Sequence, residues 1–192
     1  MSRAVASPSV REVSDRALVL YAVVRRATIE HLLSEWANEP SRIAQAEAAR
    51  AETDRWLTRE SLDEAVTELE RRLLAAPSGS WPAEAAADGE WRHEALGTLL
   101  WGLRHLEDVP AYDEAFPRDV VETAITRYGS VDAFRTEGSL RPDRELERAW
   151  GEADAWFAAT EGSVGEDAAL ASTAVERLRA LSWLRDASAP RP

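Results

Sequence analysis

Apolar residues recur at helical spacing along most of the chain, separated by short segments rich in proline and glycine. In the first such stretch, residues 10–36, the apolar side chains stand three or four positions apart, which is typical of a helix packed on a core. Further helices are predicted over residues 40–57, from a capping-box sequence at 61–64 to near Pro77, and over 117–128, 131–136, 142–160 and 167–185. No segment combines sustained alternation of apolar and polar residues with hairpin turns, so the pattern predicts an all-α fold.

The stretch at residues 90–107, EWRHEALGTLLWGLRHLE, is apolar on almost every side. Such a helix is typical of the centre of a fold, and we expect a single-domain bundle of about six to eight helices around it. Gly97 and Gly102 weaken this helix by about 1 kcal/mol each relative to alanine. Their presence indicates that another helix or a bulky indole approaches the backbone closely at these two positions.

Charged residues within the same stretch need partners elsewhere. Arg92 and Glu94 are two positions apart on one helix, so they point in different directions and do not satisfy each other. Arg16, Glu176 and Arg177 are the candidate partners, and together these residues form a predicted buried ionic cluster.

Two helices share the pattern E-x-L-x-x-L-x-W, at residues 94–101 and 176–183. A step of seven residues is about two helical turns, so Glu94 and Trp101 share one face, as do Glu176 and Trp183. One interpretation is a pair of acids beside aromatic walls, suited to acid/base chemistry. The other is a chance coincidence between two buried helices.

The segment at residues 77–89, PSGSWPAEAAADG, is predicted to be a flexible loop within a domain that spans residues 10–187. Residues 1–9 and 188–192 are predicted to be flexible ends. Trp81 in this loop has two interpretations, an exposed contact for a protein partner or a lid folded over the core.

The net charge of −12 changes the range of plausible partners. Residues 143–167 carry eight acidic and two basic residues, a net charge of −6. Acidic surfaces repel phosphate backbones and anionic lipids, which argues against nucleic acid and membrane partners. A basic protein partner fits this charge, although a solvated face that keeps the protein soluble is the more common meaning of such a charge run.

The composition also bears on the source and the compartment. All 23 basic residues are arginine, and cysteine is absent. The lack of lysine, together with the scarcity of isoleucine, asparagine and glutamine, indicates a high-GC bacterium. The lack of cysteine excludes disulfides and fits a reducing cytoplasm, and the longest apolar run, eight residues at 17–24, is too short to cross a membrane.

No familiar catalytic or metal-binding pattern stands out. The three histidines are His31, His93 and His105, and no serine lies in a nucleophile elbow. The E-x-x-H step at residues 90–93 matches a di-iron ligand pair, but no second such step exists. No phosphate-binding loop is present, so we predict no metal and no cofactor. Acid/base chemistry by Glu94 and Glu176 is the one enzymatic hypothesis with a physical basis.

Four stretches of the chain carry a family resemblance. The pattern W-R-x-E-A-L-x-x-L-L-W-x-L at residues 91–103 resembles the hallmark helix of a bacterial domain-of-unknown-function family, numbered four-two-seven-two. Residues 15–24, 140–159 and 175–184 resemble further segments of that family. The resemblance implies shared residues and an uncharacterised function, with no established reaction. The shared positions are Arg16, Arg92, Glu94, Trp101, Glu176, Arg177 and Trp183.

Charge and motifs together favour a non-enzymatic interaction module, an adaptor or inhibitor of a basic partner. The alternative is a small-molecule-binding or acid/base enzymatic domain that uses the buried Arg/Glu cluster. The sequence gives no indication of the oligomeric state.

Overall fold

A computed structural model describes residues 6–35, 39–160 and 168–192. Within those ranges the chain forms eight α-helices and no strand, which confirms the all-α prediction. None of the described helices is both long enough and apolar enough to span a bilayer. The helices are α1 (Val10–Glu35), α2 (Pro40–Arg59), α3 (Glu68–Ala75), α4 (Ala83–Gly102), α5 (Arg118–Thr126), α6 (Val131–Glu137), α7 (Asp143–Thr160) and α8 (Ala168–Arg185).

The chain divides into two compact units, one of residues 1–17 and 93–192 and one of residues 18–92. We call them the 93–192 unit and the 18–92 unit. The boundaries between the units fall inside the helices α1 and α4, each of which is continuous across its boundary. The division into units does not decide whether residues 10–187 form a single domain, so that expectation stays a prediction.

The long helices begin and end close to where the sequence predicts. Pro40 opens α2 at its first turn, where its missing N–H costs no hydrogen bond. In α5, Pro117 stands at the N-cap, and Gly129 with φ of +68° follows the end of the helix. Trp36, Asn38 and the acidic residues 161–167 lie outside the described residues.

The predicted start of α3 is wrong. Residues 61–64 do not cap a helix; Ser61 has a φ of +55° and a 3-10 turn follows at Asp63–Ala65. The capping box lies six residues later, where Glu70 N donates to the Thr67 hydroxyl and Thr67 N donates to the Glu70 carboxylate. Residues 61–64 and residues 67–70 both fit the capping-box pattern. Leu62 and Val66 are buried, which places the 3-10 turn before residues 67–70, so the helix begins at the second pattern.

The predicted loop at residues 77–89 is shorter, because α4 begins at Ala83 and ends at Gly102 rather than covering 90–107. Its end is a tight turn in which Arg104 has a φ of +63° and His105 N donates to Leu100 O at 2.9 Å. This is the Schellman arrangement, with arginine where glycine is the usual residue. Every residue from position 93 to 103 is buried, which confirms the predicted buried helix over that stretch.

The two glycines of α4 permit close packing, as the sequence predicts. A Cβ atom at Gly97 would lie 2.4 Å from the Phe116 ring, and one at Gly102 would lie 2.7 Å from the Leu184 methyl. The ring at Gly97 is a phenyl group and not an indole. Neither position accepts a larger side chain without movement of its neighbour.

Helix α7 packs along α8 within the 93–192 unit. Trp150 Nε1 donates to the Ser182 hydroxyl at 3.0 Å, and the Arg185 guanidinium lies 4.2 Å from the Trp150 ring centroid. Arg185 also pairs with Glu147 at 2.6 Å. The residues expected to form a flexible end also make contacts, since Ala187 N donates to Ala6 O at 2.9 Å.

Gly97→Ala is expected to destabilise the protein by about 1–3 kcal/mol, because the added methyl meets the Phe116 ring. The matched control is Gly151→Ala in the middle of α7, where no atom lies within 4 Å of the added carbon. The control is expected to stabilise by up to about 1 kcal/mol through helix propensity. Urea denaturation measures both, and equal effects of the two changes would contradict close packing at Gly97.

Candidate functional site

Two members of the predicted ionic cluster form a buried pair. Arg177 on α8 donates from Nε to Glu94 Oε2 on α4 at 2.9 Å, and the two side chains are 0% and 2% exposed. The second oxygen, Glu94 Oε1, accepts from Phe116 N at 3.0 Å. Both carboxylate oxygens are therefore occupied, so the geometry gives Glu94 a structural role.

The rest of the Arg177 guanidinium holds the segment between α4 and α5. It donates to the carbonyl oxygens of Pro110 at 2.8 Å, Ala111 at 3.3 Å and Glu114 at 2.6 Å. The group lies 5.2 Å from the Tyr112 ring centroid and 5.0 Å from that of Phe116. One side chain thus satisfies three carbonyl groups of a non-helical segment and one buried carboxylate.

Four of the other predicted residues, Arg16, Glu176, Trp183 and Trp101, have the following positions in the 93–192 unit. Arg16 is buried and donates from Nε to Pro192 O at 2.8 Å. Glu176 accepts from Arg179 at 2.8 Å on its own helix. Trp183 is buried, and Trp101 packs under Arg141. The two E-x-L-x-x-L-x-W patterns therefore lead to different contacts.

Arg92 belongs to the 18–92 unit, and its partner is one that sequence reasoning missed. Its Nη1 lies 4.0 Å from the carboxylate of Glu70, which is buried. The signal was available in the capping box at Thr67, which fixes Glu70 in the first turn of α3.

Trp81 is 7% exposed, so the expectation of an exposed contact for a partner is wrong. Its Nε1 donates to Leu73 O at 2.7 Å, and the Arg26 guanidinium lies 5.5 Å from the ring centroid. The alternative interpretation, a side chain folded back on the core, describes this position. An indole with a satisfied N–H gains more from burial than from exposure in a loop.

A second ionic network in the 18–92 unit was not predicted. Arg26 pairs with Glu30 one turn later on α1, and both side chains are buried. The Arg26 Nη2 atom donates to Ala76 O and Pro77 O, both at 3.0 Å. The carboxylate of Glu30 accepts from Gly79 N at 2.9 Å and from Trp81 N at 3.1 Å. The available signal was an i, i+4 Arg/Glu pair within an otherwise apolar helix.

One atom of this network has no acceptor in the described part of the chain. Arg26 Nη1 is buried and makes no hydrogen bond. A buried donor without a partner costs about 1–3 kcal/mol, and native proteins leave few of them.

A cavity of about 350 Å³ lies in the 93–192 unit beside Tyr112, and we call it the Tyr112 cavity. Its volume is within the range of small-molecule sites. The lining combines apolar and aromatic residues with charged ones. The cavity is lined by Thr98, Trp101, Glu107, Asp108, Val109, Pro110, Ala111, Tyr112, Arg141, Arg148, Ala149, Glu152, Arg177 and Leu181.

Arg141 forms part of this wall and shows how the cavity holds a guanidinium group. The group lies 4.6 Å from the Trp101 ring centroid and donates to Trp101 O at 2.8 Å. It also donates to Glu107 O at 2.7 Å and to the Glu145 carboxylate at 3.0 Å.

The acidic part of the wall is available to an incoming group. Glu107 and Asp108 are exposed, and neither carboxylate has an ion-pair partner among the described residues. Burial raises the pKa of Tyr112 to about 12, so its hydroxyl stays protonated at neutral pH. Within the described residues no cluster of three acidic or histidine side chains has metal-binding geometry.

Two histidines are buried in the 93–192 unit. His93 Nε2 donates to Phe116 O at 2.9 Å, and His105 Nδ1 lies 2.7 Å from the Tyr128 hydroxyl. Burial, followed by the nearby Arg127 charge, lowers the pKa of His105 from 6.5 to about 4. Burial also lowers the pKa of His93.

Glu94→Gln is expected to destabilise the protein by about 3–5 kcal/mol, because it leaves the Arg177 charge buried without its counter-ion. The matched control is Glu147→Gln, which removes the exposed pair with Arg185 and should cost at most about 1 kcal/mol. Urea denaturation gives both values. A loss below about 1 kcal/mol for Glu94→Gln would contradict the structural role of the pair.

His105 is expected to make the protein acid-sensitive. Because its pKa is lower in the folded state, the unfolded chain binds the proton more tightly, and stability falls as the pH drops from 6.5 toward about 4. Between pH 7 and pH 5 the wild type should lose about 2 kcal/mol more than His105→Gln. His31→Gln, a change at an exposed histidine, should follow the wild type. Parallel curves for wild type and His105→Gln would show that His105 does not contribute.

Comparisons with known proteins give a family and no characterised relative. No curated protein and no solved structure matches the chain. One family model, described as a domain of unknown function (DUF4272), matches residues 2–190 and agrees with the resemblance in the sequence. On that match, which covers almost the full length, the chain belongs to the DUF4272 family.

Proposed function

We propose that the protein is a non-enzymatic, acidic interaction module that binds a basic protein partner, as an adaptor or an inhibitor. In this proposal the Tyr112 cavity receives an arginine side chain of the partner. The observation that carries it is the pair of exposed carboxylates, Glu107 and Asp108, in a cavity that is also lined by Trp101 and Tyr112.

The charge of the chain supports a basic partner. The net charge is −12, and Asp143, Glu147, Glu152 and Asp154 are exposed along α7. A surface of this sign attracts a positively charged protein and accelerates its association.

Arg141 supports the choice of arginine. Its guanidinium is held by an aromatic ring, backbone carbonyls and a carboxylate, which are the groups that bind arginine in protein interfaces. An incoming arginine would find Glu107 and Asp108 as carboxylate acceptors beside the Tyr112 ring. Three arginine charges line the cavity, and each has a carboxylate partner that reduces its repulsion. Arg141 pairs with Glu145 and Arg177 with Glu94, and the exposed Arg148 lies 4.0 Å from Glu152.

Two labelled peptides, hexa-arginine and hexa-lysine, test this proposal by fluorescence anisotropy at low and high salt. Hexa-arginine is expected to bind more tightly, because arginine stacks and donates in a planar fork. The double variant Glu107→Gln/Asp108→Asn should weaken that binding about tenfold, or about 1.4 kcal/mol.

The control for this experiment is the double variant Glu84→Gln/Asp88→Asn, which removes two exposed acids from α4 and leaves the cavity intact. Its effect should stay below about twofold, because neither residue lines the cavity. Equal losses in the two double variants would assign binding to net charge and remove the cavity from the proposal. Absence of binding by either peptide would overturn the proposed function.

A second candidate is the binding of a small molecule in the same cavity, favoured by its volume of about 350 Å³. Trp101 and Arg177, two of the residues shared with the family, line it. Argininamide distinguishes the two candidates. If it binds as tightly as hexa-arginine, the cavity acts as a small-molecule site; if only the peptide binds, the protein-interaction proposal is favoured.

A further inference from the structure

Arg148 is the least neutralised of the three arginines that line the Tyr112 cavity. The Arg141 and Arg177 guanidinium groups each donate to a carboxylate, at 3.0 Å and 2.9 Å, and to backbone carbonyl groups. The Arg148 side chain is 72% exposed, and Glu152, its ion-pair partner among the described residues, lies 4.0 Å away. That distance is longer than a hydrogen bond, and an exposed pair of this kind contributes little. The Arg148 charge is therefore available to a ligand.

Arg148 shares one side of α7 with residues that lie against Tyr112. Arg148, Glu152 and Trp156 follow one another at intervals of four positions, so their side chains lie along the same side of the helix. The Trp156 ring is stacked on the Tyr112 ring, with the centroids 5.5 Å apart. Burial raises the pKa of Tyr112 to about 12 and the Glu152 charge adds to the rise, which places the Glu152 carboxylate near the Tyr112 hydroxyl. The side of α7 that carries Arg148 thus faces the cavity.

The lining therefore offers charges of both signs to a ligand. Glu107 and Asp108 are exposed carboxylates without an ion-pair partner among the described residues, and Arg148 is an exposed cation. A ligand with a positive charge alone would pair with the two acids and would be repelled by Arg148. A ligand that carries a cation and a carboxylate can satisfy all three residues.

The size of the cavity restricts how these two ligand charges are joined. Its volume of about 350 Å³ lies near the lower end of the range of small-molecule sites, so it accommodates a single residue of a partner and not an extended stretch of chain. The cation and the carboxylate must then belong to the same residue. An arginine combines a guanidinium with a carboxylate in this way where it is the last residue of a chain.

We propose that the Tyr112 cavity recognises an arginine with a free α-carboxylate, the C-terminal residue of a partner protein. Its guanidinium pairs with Glu107 and Asp108, and its carboxylate pairs with Arg148. A guanidinium binds a carboxylate through two parallel hydrogen bonds, so Arg148 is the residue that determines the specificity for a chain end. This inference rests on the proposed function, because it specifies which arginine of a basic partner the cavity receives.

The first test uses hexa-arginine in two forms, one with a free C-terminal carboxylate and one with a C-terminal amide, both labelled at the N-terminus. Fluorescence anisotropy with the full chain should show that the acid form binds about three- to fivefold more tightly, the effect of one exposed ion pair. Net charge alone predicts the opposite order, because the acid form is less positive and the protein is acidic.

The outcomes separate this inference from the proposed function. If the amide form binds as tightly as the acid form or more tightly, the recognition of a chain end is overturned and an arginine-binding cavity remains. If neither form binds, the proposed function and this inference are both overturned.

Three variants identify the residue that reads the carboxylate. Arg148→Gln should abolish the preference for the acid form and tighten the binding of the amide, because a repelling charge is removed. Arg148→Lys should keep part of the preference, since the charge remains without the planar fork. The matched control is Arg144→Gln, which removes an exposed arginine one turn earlier on α7 that does not line the cavity, and it should keep the full preference. A preference that persists in Arg148→Gln would overturn the role of Arg148.

Free arginine separates a protein chain end from a small molecule with the same two groups. Its α-ammonium adds a positive charge beside the carboxylate that pairs with Arg148, so we expect free arginine to bind more weakly than the acid form of hexa-arginine. Competition against the labelled peptide measures its affinity. Binding of free arginine as tight as that of the acid peptide would overturn the choice of a protein chain end as the source of the ligand.

Discussion

The buried pair between Glu94 and Arg177 is the interaction on which the 93–192 unit depends most. It joins α4 to α8 and also determines the path of the chain between α4 and α5, because Arg177 donates to three carbonyls of that segment. Phe116 N donates to the same carboxylate, and the Phe116 ring then fits against Gly97. A charge pair, a loop and a glycine therefore form one arrangement, in which each part requires the others.

The same device occurs three times in the described part of the chain. Arg26, Arg141 and Arg177 each bind a carboxylate and also the backbone carbonyls where a helix has ended. The last carbonyls of a helix and those of an irregular segment have no partner in a regular ladder, so a buried segment needs donors from side chains. A guanidinium supplies five donors in a fixed plane, whereas a lysine supplies three from one atom. Since all 23 basic residues of the chain are arginine, each of them can supply donors in this way.

Sequence reasoning predicts features that depend on neighbouring residues and misses those that depend on distant ones. Helices α1 and α7 follow from the periodicity of apolar residues, and the close packing at Gly97 follows from the cost of glycine in a helix. The beginning of α3 was placed wrongly because two capping sequences compete locally, and burial decides between them. Arg177 was correctly named as a partner for Glu94, whereas Glu70 was missed for Arg92, since no periodic pattern links α3 to α4. Trp81, which precedes α4, shows the same limit. The carbonyl that accepts from its indole N–H belongs to Leu73 on α3, and no sequence pattern indicates this contact.

The distribution of satisfied and unsatisfied charges separates structural residues from candidate binding residues. Glu94, Arg177 and Arg16 are buried and hydrogen-bonded, so the fold alone accounts for these residues. Structural residues of this kind carry no information about a partner. Glu107 and Asp108 differ, since they are exposed, line the Tyr112 cavity and have no ion-pair partner among the described residues. An exposed carboxylate at a cavity where a guanidinium is already held is therefore a better place to look for a partner than the buried pairs.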